Sequence, residues 1–177
     1  LSDGDIKVNY FPIVFSRHTG HEFYCVKLNA NGTFVPRSFD NRNEEKEDSA
    51  NTTDGYIILP HEDEKADRYL LSEDSEEIPE DWYKVDRKGR RHLKKTYQER
   101  LPRLIYVTYT GKYADNSSAF ANAIEAIYVP YPLKYDPTAK VVYRGSSKEW
   151  SKLAKIGSEG RSTATTVLSY ENIIEMQ

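Results

Sequence analysis

From Leu1 to Phe39 apolar and polar residues recur mostly with the two-residue period of β-strands. Ile6-Lys7-Val8-Asn9-Tyr10 alternates, and Pro12-Ile13-Val14-Phe15 is a short apolar run. Glu22 to Leu28 and Thr33-Phe34-Val35 then flank Asn29-Ala30-Asn31-Gly32, where Asn-Gly tolerates the positive φ of a tight turn and predicts a β-hairpin. Further on, Tyr56-Ile57-Ile58-Leu59 predicts a strand ending at Pro60, and Tyr69-Leu70-Leu71 a second short one. Asp86-Arg87-Lys88-Gly89-Arg90 reads as a turn, and His92 to Arg100 as a short helix stopped by Pro102. Ile105 to Thr110 is the clearest strand in the chain.

Beyond it the pattern suggests helix as well as strand. Phe120, Ile124 and Ile127 fall on one face of a helix capped by Ser117 or Ser118. Trp150, Leu153 and Ile156 do the same for a helix opened by Ser146 or Ser147. Val141-Val142-Tyr143 and Thr163 to Leu168 are expected strands, and Glu171 to Met176 begins a last helix. Strands first and helices later imply an α+β fold. Its N-terminal half is rich in β-hairpins and carries a long acidic loop. Its C-terminal half alternates strands and short helices around one mixed sheet. Residues 1–177 are expected to form a single domain, and the start at Leu1-Ser2-Asp3 suggests a piece of a longer chain.

Composition supports a folded chain. Of 177 residues, 38% are hydrophobic and 12% aromatic, whereas disordered chains are poor in aromatics. No apolar run approaches the roughly 20 residues that cross a bilayer, so no membrane partner is expected. Cys25 is alone, which excludes an internal disulfide. The sequons at Asn31, Asn51 and Asn116 are short matches in a chain rich in Asn, Ser and Thr, and an intracellular setting is expected.

Charge is distributed less evenly. Asp40 to Asp81 holds 16 acidic against 4 basic residues, a net of −12, and its first part (residues 40–55) is expected to be a mobile loop. Trp82 to Leu104 reverses the sign. Lys84, Arg87, Lys88, Arg90, Arg91, Lys94, Lys95, Arg100 and Arg103 stand against Asp86 and Glu99, a net of +7. Lys and Arg interleaved with Trp82, Tyr83 and Tyr97 are what a nucleic-acid contact uses, cations meeting phosphates and rings stacking on bases. The sequence pI of about 5.9 favours instead a basic segment that answers the acidic block, on this chain or on another. Tyr128, Tyr131 and Tyr135 line a Pro-rich extended stretch, and tyrosines of this kind are enriched at protein interfaces.

Catalytic and metal patterns are weaker. His18, His21 and Cys25 have metal-like spacing, with His61 as a fourth candidate. Structural zinc sites use paired close ligands from two turns, however, and only one such pair is present. Cys25 alternates with Phe23 and reads as core, so no metal or other cofactor is expected. Tyr143-Arg144-Gly145, Ser162-Thr163-Ala164-Thr165-Thr166 and Glu171 with Glu175 faintly resemble the Arg, Ser-Thr and Glu motifs of ADP-ribosyltransferases. The resemblance covers only the end of the chain. It departs from the family in its short Arg144–Ser162 spacing and in lacking the tight Glu-x-Glu pair, and no membership follows.

The leading expectation is therefore a non-catalytic module that binds a protein partner or itself. It would use the charge-segregated surface and the stretch from Tyr128 to Tyr135. A nucleic-acid-binding domain led by residues 84–103 is the alternative. The third is an enzyme whose scattered site would include Arg144, His18 or His21.

Overall fold

The structure is a computed structural model that describes residues 10–39, 54–108, 110–116, 122–145, 147–155 and 164–167. Its main element is an antiparallel sheet. Seven strands follow one another as β12 (Leu153–Ala154), β1 (Tyr10–Ser16), β2 (Glu22–Leu28), β4 (Asp54–Ile58), β9 (Ile124–Pro130), β7 (Arg103–Val107) and β8 (Tyr113–Ala114). β13 (Ala164–Val167) pairs with β1, and β3 (Phe34–Pro36) with β2. The β1–β13 register shifts between Phe11 and Pro12, where proline has no N–H to give the ladder.

The expected Asn31-Gly32 hairpin is present as β2 and β3. Gly32 stands at φ +80°, and the Asn29 side chain accepts the Thr33 N–H at 3.0 Å. The same loop closes the sheet on itself. Thr33 bridges Lys112, Phe34 N–H donates to Gly111 at 2.8 Å, and Tyr113 N–H donates to Gly32 at 3.0 Å. β3, β2, β4, β9, β7 and β8 thus form a ring in which each strand meets its neighbours, as in a small barrel.

Two cores lie on the two faces of this sheet. Tyr24, Val26, Phe34, Ile57, Ile105, Val107, Ala126 and Tyr128 pack together, with Phe11 and Ile13 of β1, on the face inside the curl. On the other face Phe23, Cys25, Tyr56, Ile58, Ile127 and Val129 meet Ala66 and Tyr69 of a 3₁₀ turn, together with Leu133 and Leu153. A third cluster of Ile78, Trp82, Leu93 and Leu101 lies under a separate two-stranded hairpin, β5 (Tyr83–Val85) and β6 (Arg91–Leu93). A further short pair joins β10 (Tyr135–Asp136) to β11 (Val141–Val142).

The protein is mainly β, which overturns the expected α+β class. Among the described residues its α-helices are two four-residue turns, α1 (Lys95–Gln98) and α2 (Glu149–Lys152). Ile124 and Ile127, assigned above to a helix, belong to β9, where Ala126 and Tyr128 point to one core and Ile127 and Val129 to the other. A strand apolar on both faces loses its alternation and matches a helical spacing by accident. In the expected helix over 92–100, His92 and Leu93 are strand instead, and Trp150 in the next one is exposed. Tyr69-Leu70-Leu71 ends a 3₁₀ turn rather than forming a strand. The 40–53 stretch of the acidic loop and the helix expected at Glu171 to Met176 lie outside the described residues.

The segment around α2 is tied to the sheet by buried polar contacts. Lys152 is 1% exposed; its Nζ donates to Glu149 and to the Leu133 carbonyl, both at 2.7 Å. Glu149 also accepts the Leu133 N–H at 3.0 Å and the hydroxyl of buried Tyr56. Arg37 lies over the Tyr56 ring at 4.8 Å and donates to the carbonyls of Val26 and Gly55. These are main-chain partners and one matched carboxylate, which is what keeps buried cations tolerable.

Gly55 shows how tightly the inner face is filled. A Cβ there would stand 2.5 Å from the Tyr128 ring, which covers the glycine from the neighbouring strand. Gly55→Ala is expected to lower stability by about 1–3 kcal/mol, as overpacked cores do, read as a drop in the urea midpoint with an unchanged slope.

Candidate functional site

The basic segment forms the β5–β6 hairpin and the short helix after it. Residues 86–90 make the expected turn, closed by Asp86 N–H donating to Arg90 at 2.9 Å, with Gly89 at φ +78°. The Asp86 carboxylate accepts the N–H groups of Lys88 and Arg90, both at 2.8 Å, and pairs with His92 at 2.8 Å. Those backbone bonds, with His92 beside them, hold its pKa below the usual carboxylate range. An anion is therefore used up inside the turn, while Lys84, Arg87, Lys88 and Arg90 around it are exposed.

The acidic block does reach this hairpin, but lightly. Glu80 pairs with Arg91 at 3.3 Å, and among the described residues this is the ion pair that joins the two blocks. Both side chains are exposed, so the pair is worth on the order of 0–1 kcal/mol. Lys94 donates to the Asp81 carbonyl at 2.8 Å, and Gln98 to Glu73 at 2.7 Å. Lys84, Arg87, Lys88, Arg90 and Lys95 take no carboxylate partner among the described residues.

The rings interleaved with these cations are occupied. Trp82 is buried and stacks on Tyr97 at 4.6 Å, with the planes 11° apart. Arg91 lies 3.7 Å above the Tyr83 ring, and the Tyr83 hydroxyl donates to Glu73. Val85, by contrast, is 69% exposed at the end of β5.

The remaining predicted contact residues lie elsewhere. Arg100 is buried and donates to the Tyr131 carbonyl at 3.1 Å. Tyr128 is inside the curl, its hydroxyl donating to the Asp54 carbonyl at 3.2 Å, and burial pushes its pKa up to about 12. Tyr135 is also buried and donates to Glu77 at 2.9 Å, while half-buried Tyr131 lies under Arg37 at 5.2 Å. Arg144 is exposed.

The metal-like spacing resolves differently from its sequence reading. His18 stands near Tyr143, 6.1 Å between ring centroids, and Cys25 is fully buried. His21, the residue before β2, instead meets His61, just after β4, because β2 and β4 pair. The two rings stack at 4.0 Å with 8° between planes, and Glu22 lies 3.6 Å from His61 Nε2. One ligand atom from each of His21, Glu22 and His61 lies within 4.8 Å of the others. His21 Nε2 is 3.0 Å from the Leu59 carbonyl, and burial holds its imidazole below the usual histidine range. Glu22 escaped the sequence reading; its signal is that strand register carries 22 towards the end of β4, where His61 follows.

No known protein family, curated protein or solved structure matches this chain. Among the described residues no helix is long and apolar enough to cross a membrane.

Burial raises the Cys25 thiol pKa to about 11, above that of an unfolded cysteine. This contribution to stability is present at neutral pH and is lost as pH rises through the unfolded thiol's range towards 11. A disulfide exchange reagent is expected to leave the native thiol unlabelled at neutral pH and to label it only as fast as the chain opens. Immediate stoichiometric labelling without denaturant would contradict its burial.

Proposed function

We propose that this protein is a non-catalytic interaction module that docks an acidic surface of a protein partner through the β5–β6 hairpin. The observation that carries the reading is the cluster Lys84, Arg87, Lys88 and Arg90 around a turn whose own carboxylate is already engaged. Four cations that form no ion pair with a carboxylate among the described residues repel one another, and an anionic surface relieves that repulsion. Exposed Val85 adds an apolar patch beside them, a combination suited to a protein surface. Among the described residues the acidic block gives the hairpin one exposed ion pair, which is worth little.

Nucleic acid is the second reading, since cations on a projecting turn also suit phosphates. Against it stands the state of the rings. Trp82 is buried, and Tyr97 and Tyr83 each have one face taken, by Trp82 and by Arg91, which reduces the ring surface available to a base.

Fluorescence anisotropy with a labelled peptide rich in Glu and Leu, and with single-stranded DNA and RNA of matched charge, tests both readings at low and high salt. The peptide is expected to bind more tightly than either nucleic acid and to weaken with salt. Arg87→Glu with Lys88→Glu is expected to lower peptide affinity about tenfold or more, roughly 1.4 kcal/mol. Preferential binding of nucleic acid would move the assignment to the second reading. No binding of any probe at low salt would remove the hairpin as an interaction surface.

A further inference from the structure

We propose that His21, Glu22 and His61 form a binding site for a divalent first-row transition metal, with zinc the ion that their ligand set suits best. Two imidazoles and one carboxylate are a recurrent three-ligand set for zinc, which leaves a fourth position open to water. Their ligand atoms already lie within 4.8 Å of one another. An ion with bonds of about 2.0–2.2 Å needs ligand separations of roughly 3.3 Å and must lie in the plane of each ring it binds, so the set closes when the His61 ring turns out of its stack on His21.

The three side chains differ in freedom in a way that suits capture. His21 is buried, and its Nε2 is tied to the Leu59 carbonyl at 3.0 Å. A carbonyl only accepts, so Nε2 carries the proton and Nδ1 keeps the lone pair that a metal takes. A backbone carbonyl on the far nitrogen is also the usual outer partner of a metal-bound histidine. His61 and Glu22 have side chains 58% and 46% exposed, so both can turn onto an ion held by His21 without disturbing the core.

Neighbouring groups neither complete nor block the set. Glu64 is engaged by the Tyr69 hydroxyl, by Arg68 at 2.8 Å and by the His61 N–H at 3.4 Å, so the open position falls to solvent. Cys25, the ligand that spacing suggested, is fully buried in the core and is not a member of the cluster. The bland alternative is that His61 merely lids the His21 ring by stacking. That alternative gives no reason for a metal to prefer this place over the exposed carboxylates that follow His61.

The test is calorimetric titration of the metal-free chain with Zn²⁺, paired with Co²⁺ absorption and with Mg²⁺ as the oxygen-preferring control. One Zn²⁺ is expected to bind per chain, Co²⁺ to show visible bands of a low-coordinate nitrogen-containing site, and Mg²⁺ not to compete. His61→Ala at an exposed position and Glu22→Gln, isosteric at a half-buried one, should each weaken Zn²⁺ at least tenfold while leaving the unmetallated fold unchanged by circular dichroism. Binding that survives in the double variant would overturn the proposal, because the ion then sits elsewhere. So would the absence of saturable binding, or displacement by Mg²⁺.

Discussion

Every residue of β4, from Asp54 to Ile58, is buried, and a strand closed on both faces dictates what its neighbours must supply. Ile57 faces the interior of the curl, while Tyr56 and Ile58 face the outer core. β2 and β9, its two partners, therefore carry apolar side chains on both faces as well. An antiparallel sheet more often leaves one face to water. Here the inner face is covered by the sheet's own curvature and the outer one by the 3₁₀ turn, Leu133 and Leu153. The short elements around the sheet then serve as cover, and little of the described chain is helical.

Covering β4 also brings charge indoors. The segment that carries Leu153 onto the outer core brings Lys152 and Glu149 with it. Arg37, just past β3, lies across β4 with its guanidinium on two carbonyls and two tyrosine rings. Each cation is matched by fixed acceptors, so these contacts specify how the peripheral segments seat more than they add net stability. Asp136 repeats the pattern, accepting Ser16 at 2.6 Å and Thr138 at 2.6 Å while fully buried.

What the sequence disclosed follows from where local rules act unopposed. Asn31-Gly32 and Asp86 to Arg90 are turns set by their own residues, and both stand where they were expected. β4 and β7 were legible from dense β-branched and aromatic runs. β9 was not, because burial on two faces removes the period that separates strand from helix. Tyr128 and Tyr135 looked like surface residues beside prolines, yet their hydroxyls find Asp54 and Glu77, partners more than fifty positions away. The hairpin cations were legible as a cluster, but not the occupied state of the rings between them. Of the histidine cluster, His21 and His61 were visible by type. Glu22 needed the β2–β4 register.

The seam at Thr33 and Lys112 joins residues about 80 positions apart, whereas the β2–β3 and β5–β6 hairpins close within a few. Loop-closure entropy makes such a contact costly until the intervening strands have docked. The ring therefore completes late in folding, after β4 has found β2 and β9. By the same logic its amides, held among the described residues by one bridge of two main-chain bonds, exchange with solvent before those of β4. The barrel has a zipper as well as a wall, and the two differ in how long they stay shut.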